Sequence, residues 1–261
     1  MLRRTTALLR AQNKLPPIHD HEIHCRPNKP QAAHSVRQQR DFESALERSS
    51  PQRGFCLVRS LLLTLRQITC HPSLTHKQPA IDEAGSGKVQ ALVALVRRIR
   101  AKGEKLIVFT QFAELVPGLA KVLTRLFGEP CPTMTGAMGV PARRRFVADF
   151  QRDDGPPFVI MTTGVGGCGL TLTQANHVVH FDRPWNPAVE LQAEGRAYRI
   201  GQRKEVHVHT LVAQGTVDER IRDLLSRRAN LAAQVLDTPL DRPITQLSNK
   251  ELLEIVQLRA G

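Results

Sequence analysis

The chain has 261 residues, of which 41% are apolar, and this is enough to bury the core of one or two domains. Its formal net charge of +13 favours a polyanionic partner such as nucleic acid over a basic surface that is merely solvated. The aromatic content of 4% argues against a platform for stacking single-stranded bases, and no apolar run approaches the ~20 residues that cross a bilayer, so a membrane role has no support.

Residues 1–50 show little periodicity and predict a poorly ordered arm. A short helical stretch at its start ends at the pair Pro16 and Pro17. The arm also carries imidazole and thiol groups of the kind that zinc prefers, at His19, His21, His24, Cys25 and His34. Because their spacing matches no closed zinc site, we expect a mobile polar arm here rather than a metal centre.

Residues 51–85 predict a helical linker, with an apolar helix from Phe55 to Cys70 that ends at His71 and Pro72. Two short sequences at its end imitate parts of an ATP site. Residues 82–85, Asp-Glu-Ala-Gly, imitate an acidic box, and residues 85–88, Gly-Ser-Gly-Lys, imitate the tail of a P-loop. The positions that a P-loop fills with glycine and with Ser or Thr hold other residues here, so we expect no ATP binding at these sequences.

Residues 86–235 alternate helices with short apolar strands, which is the pattern of a parallel sheet covered by helices on both faces. Helices are predicted at 89–99, 115–127 and 141–150, and a longer one follows the capping pair Thr216 and Glu219 towards residue 235. Strands are predicted at 106–109, 158–161, 178–181 and 206–212. Residues 236–261 predict a helical tail, in which Ser248 and Glu251 repeat the capping spacing.

Polar residues follow three of these strands, at Thr110 with Gln111, at Thr162 with Thr163, and at Asp182. In a doubly wound sheet the loops at the carboxyl ends of the strands gather ligands. The sequence therefore predicts that these residues meet at one edge of the sheet.

Residues 162–202 have the features of half an ATP site. Residues 162–170 read Thr-Thr-Gly-Val-Gly-Gly-Cys-Gly-Leu, and glycines let backbone N–H groups approach a phosphate closely. A helix predicted from about Pro187 places Gln192, Arg196 and Arg199 on one face, at positions i, i+4 and i+7. Two guanidinium groups on one stripe suit a polyphosphate, although surface ion pairs with nearby glutamates would explain the same arginines.

These motifs resemble those of the Swi/Snf-type DNA-translocating ATPases, a branch of the superfamily-two helicases. Residues 192–202, Gln-Ala-Glu-Gly-Arg-Ala-Tyr-Arg-Ile-Gly-Gln, are similar to the sixth helicase motif of that family, and the glycine-rich turn is similar to the fifth. Residues 182–187, Asp-Arg-Pro-Trp-Asn-Pro, stand between them in the family's order, and residues 105–112 resemble the fourth motif. The resemblance covers most of the chain from residue 57 to about 253 and implies a RecA-like fold, the second of two helicase lobes.

The resemblance implies a role in ATP hydrolysis for five residues. Arg199 would be the arginine finger that neutralises charge on the transferring γ-phosphoryl group, with Arg196 beside it. Gly167 and Gly169 would border the nucleotide, or else only permit the turn. Gln192 would hydrogen-bond near the phosphates, or else cap the helix face.

The resemblance also implies contacts with DNA and with the other lobe. Gln111, Thr162 and Thr163 would touch DNA phosphates, although ordinary capping of the strand ends explains them equally well. Trp185, the only tryptophan, would couple the two lobes, or else pack in the core. The sequence departs from the family at Gly195, Tyr198 and Thr171, where Asp, His and Asn are usual.

The family's first lobe, with its P-loop lysine and acidic pair, is not found in this sequence, and that lobe would hold most of the ATP and Mg²⁺. We therefore expect the C-terminal half of an ATP-dependent double-stranded DNA translocase that is inactive until a separate chain supplies the first lobe. The alternative is a non-enzymatic basic module that binds DNA or RNA polymerase; a strand-separating helicase is a lesser one. Five cysteines, an odd number at irregular spacing, indicate reduced thiols and a cytoplasmic location.

Overall fold

The computed structural model describes residues 15–48, 51–76, 79–167 and 169–234. In this part of the chain six strands form one sheet in the order β1-β6-β5-β2-β4-β3, and every neighbouring pair is parallel. The prediction of a RecA-like α/β fold with a parallel sheet is therefore confirmed. The strands are β1 (Ile18–Cys25), β2 (Leu106–Thr110), β3 (Thr133–Met134), β4 (Phe158–Thr162), β5 (His177–His180) and β6 (Val206–Ala213).

Helices connect and cover these strands. In chain order they are α1 (Lys29–Glu47), α2 (Pro51–Cys70), α3 (Gly87–Ala101), α4 (Leu115–Phe127), α5 (Val140–Gln151), α6 (Pro187–Glu194) and α7 (Val217–Gln234). Short 3-10 turns lie at Pro72–Thr75 and Thr163–Gly167. None of the helices in the described ranges combines the length and the apolar character that crossing a membrane requires.

The strands are apolar along their length because both faces of the sheet are covered. Every residue of β2 and β4 is buried. Side chains alternate between the faces, so Leu106 and Val108 of β2 join one apolar layer with α3 and α4. Ile107 and Phe109 join the opposite layer with α5 and α6. This alternation confirms the doubly covered sheet that the sequence predicts.

The ends of the helices follow local chemistry. The Ser86 hydroxyl oxygen accepts hydrogen bonds from the backbone N–H groups of Lys88 and Val89 and so begins α3. Gly128 ends α4 in the left-handed region, with φ +67°, where a residue with a β-carbon would be strained. Helix α4 therefore has the bounds that the sequence predicts, and α3 and α5 extend the predicted ranges by one or two residues at each end.

The structure differs from the expectation of a poorly ordered arm over residues 1–50. Ile18–Cys25 pairs in parallel with Val206–Ala213 along eight positions, and α1 then packs against α2. The sequence hides β1 because the strand lies at the edge of the sheet and only Cys25 is buried, so it lacks an apolar run. The short β3 was also missed. Residues 1–14 and the predicted tail at 236–261, with Ser248 and Glu251, lie outside the described residues.

Candidate functional site

The polar residues at the carboxyl ends of the strands meet around the carboxylate of Asp182. This buried group accepts hydrogen bonds from the Thr110 hydroxyl, from the Gln111 backbone N–H at 3.1 Å and from the Gln111 side-chain amide at 3.0 Å. Thr110 is also the register partner of Thr162 in β4. The three strand ends therefore converge on one edge of the sheet, as the sequence predicts.

Arg66 of α2 contacts this edge of the sheet from inside the protein, and this role was not predicted from the sequence. Its guanidinium donates to the Arg183 carbonyl oxygen at 2.7 Å and lies 3.6 Å from the Asp182 carboxylate. The same group lies over the Trp185 ring, 4.7 Å from the ring centroid. Arg66 follows Leu62 by four residues and so falls on the apolar face of the helix, and a charged residue at such a position is the sequence signal that could have revealed this role.

Lys88 is a second internal cation beneath the edge. Its ammonium group lies 2.5 Å from the Asp218 carboxylate and donates to the Phe181 carbonyl oxygen at 3.1 Å. Burial alone would lower the pKa of Lys88, but the hydrogen-bonded Asp218 carboxylate together with other nearby negative charge, including Asp182, outweighs burial and the pKa is raised. The lysine that imitates a P-loop residue is thus buried and paired inside the core.

The prediction that one helix carries Gln192, Arg196 and Arg199 on a single face is wrong. Helix α6 ends at Glu194, and the chain continues in tight turns in which the Arg196 N–H donates to the Ala193 carbonyl. The three side chains consequently differ in environment, because Arg196 is buried whereas Gln192 and Arg199 are exposed. Gly195, a residue of low helix propensity, stands where the helix stops.

The glycine-rich turn and the second arginine nevertheless come together. After β4 the chain forms the 3-10 turn Thr163–Gly167, and the carbonyl of Gly169 then accepts from the Arg199 guanidinium at 3.4 Å. The guanidinium keeps most of its donors for a ligand, because this bond is long and the side chain is exposed. An exposed cation beside a glycine backbone fits the phosphates of a nucleotide.

Gln202 fixes the turns that carry Arg199. Its buried side-chain amide donates to the carbonyls of Thr173, Ala175 and Ala197, at 3.0, 2.7 and 3.2 Å. Its amide oxygen accepts the backbone N–H groups of the next two residues, both at 2.9 Å. Gln202 belongs to the segment that resembles the sixth helicase motif, but this role could not be predicted from the sequence because its partners lie up to 29 residues away.

Tyr198 links the same turns to the start of β1. Its hydroxyl group donates to the Pro16 carbonyl oxygen at 3.0 Å, across 182 residues of chain. The following residue, Pro17, accepts the Val206 N–H that opens the pairing of β1 with β6. A tyrosine where the family usually has histidine therefore has a definite contact in this chain.

The residues predicted to touch DNA differ in how many hydrogen-bond donors remain available to a phosphate. The two amide hydrogens of Gln111 are used on Asp182 and on the Arg183 carbonyl, at 3.0 and 2.8 Å, and this favours the strand-capping alternative for Gln111. Thr162 is 8% exposed, whereas Thr163 is partly exposed at the start of the 3-10 turn. Of the three, Thr163 is best placed to donate to a phosphate.

The contacts of Trp185 are compatible with both predicted roles, coupling between the lobes and packing in the core. Its ring packs against an apolar cluster from α1, α2 and α7 that includes Phe42, Leu65 and Ile221. Its indole N–H is buried and has no hydrogen-bond partner among the described residues. Within the same residues, no group of three or more His, Cys, Asp or Glu side chains is placed to hold a metal ion.

Comparisons with known proteins point to one family. Residues 87–201 match the family described as the helicase conserved C-terminal domain. A putative ATP-dependent helicase/translocase of Bacillus subtilis, YwqA, is 40% identical over 206 residues, which cover 78% of this chain and 22% of the relative. A probable ATP-dependent DNA helicase of Arabidopsis thaliana, CHR12, is 34% identical over 213 residues, 78% of this chain and 19% of the relative.

Among solved structures, the SWI2/SNF2 ATPase core of Sulfolobus solfataricus in complex with double-stranded DNA matches with a TM-score of 0.78 and 29% identity. The match covers 99% of this chain and 54% of that one. The chain thus spans about a fifth of the length of the curated relatives and about half of the solved ATPase core.

Proposed function

This chain is a C-terminal helicase lobe of the Swi/Snf-type ATPases, and from that membership we propose that it supplies an arginine finger and DNA-backbone contacts to an ATP-dependent double-stranded DNA translocase. The observation that carries the proposal is the exposed Arg199 guanidinium beside the backbone of Gly169, on turns that Gln202 holds rigidly. The active enzyme on this proposal consists of this lobe and a P-loop lobe, on the same polypeptide or on another.

Arg199 would act on ATP that the P-loop lobe holds together with Mg²⁺. ATP supplies the γ-phosphoryl group, and negative charge builds on its oxygens as it transfers. Arg199 would face those oxygens across the cleft between the lobes and neutralise that charge, an effect of about 10³–10⁵ in rate in other nucleotide hydrolases. Gly167, Gly169 and Gln192 would border the nucleotide. We assign Arg196 a supporting role, because it is buried and its carbonyl accepts the Leu172 N–H at 2.8 Å.

The DNA would lie along the same edge of the sheet. Thr163 with the start of the 3-10 turn would contact phosphates, with Thr162 and Gln111 beside it, and such contacts grip the backbone without reading sequence. The net charge of +13 supports a polyanionic partner, as does the double-stranded DNA in the Sulfolobus solfataricus complex. Trp185 would transmit movement between the lobes, because its ring rests on Arg66 at the turn that leads into α6. Action on the chromosome of a bacterium would place the protein in the cytoplasm, at the nucleoid.

The test is DNA-stimulated ATP hydrolysis by this chain mixed with a separately expressed P-loop lobe from a close relative. We expect no turnover by either part alone and measurable turnover by the mixture. Arg199→Ala should then lower the turnover rate about 10³-fold or more. The matched control is Arg203→Ala, another exposed arginine four residues on, which should leave the rate within about twofold. Equal rates for the two variants would contradict the arginine-finger assignment.

A second candidate is a non-enzymatic basic module, which the large positive charge also favours. Such a module would bind double-stranded DNA by itself with strong salt dependence, and the added P-loop lobe would restore no ATP hydrolysis. RNA polymerase stays a predicted alternative partner of this module. Binding of the lobe to RNA polymerase in the absence of DNA would favour a polymerase-binding module over a DNA-binding one.

A further inference from the structure

Five histidines form a stacked array on three neighbouring strands, near the ends of the strands opposite to Asp182. His19 and His21 on β1 are register partners of His207 and His209 on β6, and His177 at the start of β5 is the partner of His207. The ring centroids lie 4.9 Å apart for His21 and His209, 5.1 Å for His19 and His207, and 5.0 Å for His177 and His207. We call these five residues the histidine array.

Each hydrogen bond between two rings of the array requires that the accepting ring be uncharged. Glu104 accepts from Nε2 of His177 at 2.8 Å, which leaves Nδ1 of His177 to accept from Nε2 of His209 at 3.0 Å. Nδ1 of His209 then carries a lone pair, and this buried atom has no partner among the described residues. His21 and His207 share a similar contact, 3.1 Å between Nε2 and Nδ1. A proton added to His209 would create a buried donor without an acceptor.

Burial and mutual repulsion both lower the pKa of three rings of the array, those of His177, His207 and His209. Burial lowers the pKa of His209 to about 3, and the neighbouring His177 and His21 rings add to the effect. Burial also lowers the pKa of His177, even though Glu104 opposes it, and the pKa of His207, where His21 and His19 act in the same direction.

The charged groups around the array compensate a positive charge on only two of its five rings. Helix α3 adds two cations, because Arg98 and Lys102 line the same cavity of about 430 Å³ as four of the histidines. Glu104 contacts His177 and Glu205 contacts His19, and Glu22 pairs with Arg222 and His24. The other three rings, those of His21, His207 and His209, have no such carboxylate contact among the described residues. The cavity brings solvent to the rings, so a change of pH reaches them directly.

Strand β1 is attached by its backbone pairing with β6 and by a limited set of side-chain contacts. Of its eight side chains only Cys25 is buried, and Ile18 and Ile23 are partly buried, so few apolar contacts hold the strand. The stacking of His19 and His21 on the β6 rings adds to these contacts, as does the ion pair of Glu22 with Arg222. We propose that the histidine array is a proton-sensitive latch that holds β1 on β6 at neutral pH and loosens it when the rings become charged.

The direction of the pH effect follows from the lowered pKa values. With β1 in place, the pKa values of His177, His207 and His209 on the neighbouring strands are lowered, and opening of β1 would return them towards the ordinary value of 6.5, so the closed state binds fewer protons than the open state. Attachment is therefore strongest above about pH 6.5 and weakens as pH falls, and one such ring raises the opening equilibrium about tenfold per pH unit. Loosening β1 would also remove the Pro16 contact of Tyr198, beside Arg199. That last consequence rests on the proposed function, whereas the latch does not.

Native-state hydrogen exchange of the chain at about pH 7.5 and about pH 5.5, with EDTA present, tests the latch. After correction for the intrinsic exchange rate, the protection of the amides in residues 18–25 should fall about tenfold or more. The amides of the central strand β2, residues 106–110, should change less. Parallel changes in both strands, or unchanged protection of β1, would overturn the proposal.

Two substitutions on this strand pair sharpen the test. His209→Gln should remove about a tenfold part of the pH dependence of β1, because the most strongly shifted ring is gone. The control is His24→Gln, since His24 lies one residue off the alternation of the array and thus on the other face of β1, and it should keep the full pH dependence. Equal pH dependence in the two variants would count against the latch.

Titration of the imidazole resonances of the unsubstituted protein by NMR answers the question if His209→Gln does not fold. The ring of His209 should stay neutral at about pH 5.5. A transition for His209 near pH 6.5 would contradict the proposal. None of these readouts uses ATP hydrolysis, so failure of the latch and failure of the proposed function are distinguishable.

Discussion

The candidate site has a buried tier and an exposed tier, and the two are held in opposite ways. The buried tier consists of Arg66, Lys88 and Asp182, each of which makes short polar contacts. Arg66 donates to the Arg183 carbonyl, Lys88 donates to the Phe181 carbonyl and pairs with Asp218, and the Asp182 carboxylate accepts from the Gln111 N–H. In the exposed tier, Arg199 makes one long contact with Gly169. The difference indicates that the core positions the edge, while the group assigned to the chemistry is left available to a ligand. Substitutions in the two tiers should accordingly separate stability from activity.

The largest loss of stability is expected for Lys88→Met. The substitution leaves the Asp218 carboxylate without its buried cation, and breaking such a pair costs about 3–5 kcal/mol in the free energy of unfolding. Adding Asp218→Leu should recover part of that loss, because no uncompensated charge remains. Urea denaturation measures both, with the exposed Lys121→Met as the control at under about 0.5 kcal/mol. Equal losses of stability in Lys88→Met and Lys121→Met would contradict the structural role of the buried ion pair.

Arg66→Met should cost about 2–3 kcal/mol, because the Arg183 carbonyl loses its charged donor and Asp182 loses a cation. The substitution also removes the guanidinium from the Trp185 ring. Since Trp185 is the only tryptophan, its fluorescence emission reports this change directly, and we expect a shift. Arg59→Met, an exposed position on the same helix, should leave the emission unchanged. An unshifted spectrum in Arg66→Met would contradict the contact.

Gln202→Ala probes the connection between the tiers. It removes the side-chain donor of the buried Ala175 carbonyl and of the partly buried Thr173 carbonyl, so a loss of about 1–3 kcal/mol is expected. Because those bonds also fix the turns before Arg199, hydrolysis in the two-lobe mixture should fall as well. Gln90→Ala, at an exposed position on α3, is the control for both readouts. If Gln202→Ala lowers stability alone, the turns do not depend on this residue for their geometry.

Arg199→Ala should change stability least, by under about 0.5 kcal/mol, because the side chain is exposed and its bond to Gly169 is long. The same measurement on Arg203→Ala gives the background for this surface. A loss above about 1.5 kcal/mol would mean that Arg199 belongs to the structural tier.

The fold was largely predictable because its central strands are buried on both faces and so read as apolar runs, as at residues 106–109 and 158–161. Strand β1 was not predictable in this way, because its attachment uses backbone pairing and histidine stacking rather than apolar burial. The family motifs indicated where a candidate site would lie. They could not tell that α6 stops at Glu194 or that the Gln111 amide is already occupied, since the groups that satisfy Gln111 lie about 70 residues along the chain.

The most direct measurement is the structure of this lobe assembled with a P-loop lobe, Mg²⁺, DNA and a transition-state analogue of ATP hydrolysis. We predict that the Arg199 guanidinium lies within about 3 Å of the oxygens that mimic the transferring γ-phosphoryl group. A complex in which the lobes close around the nucleotide while Arg199 points away from it would contradict the assignment.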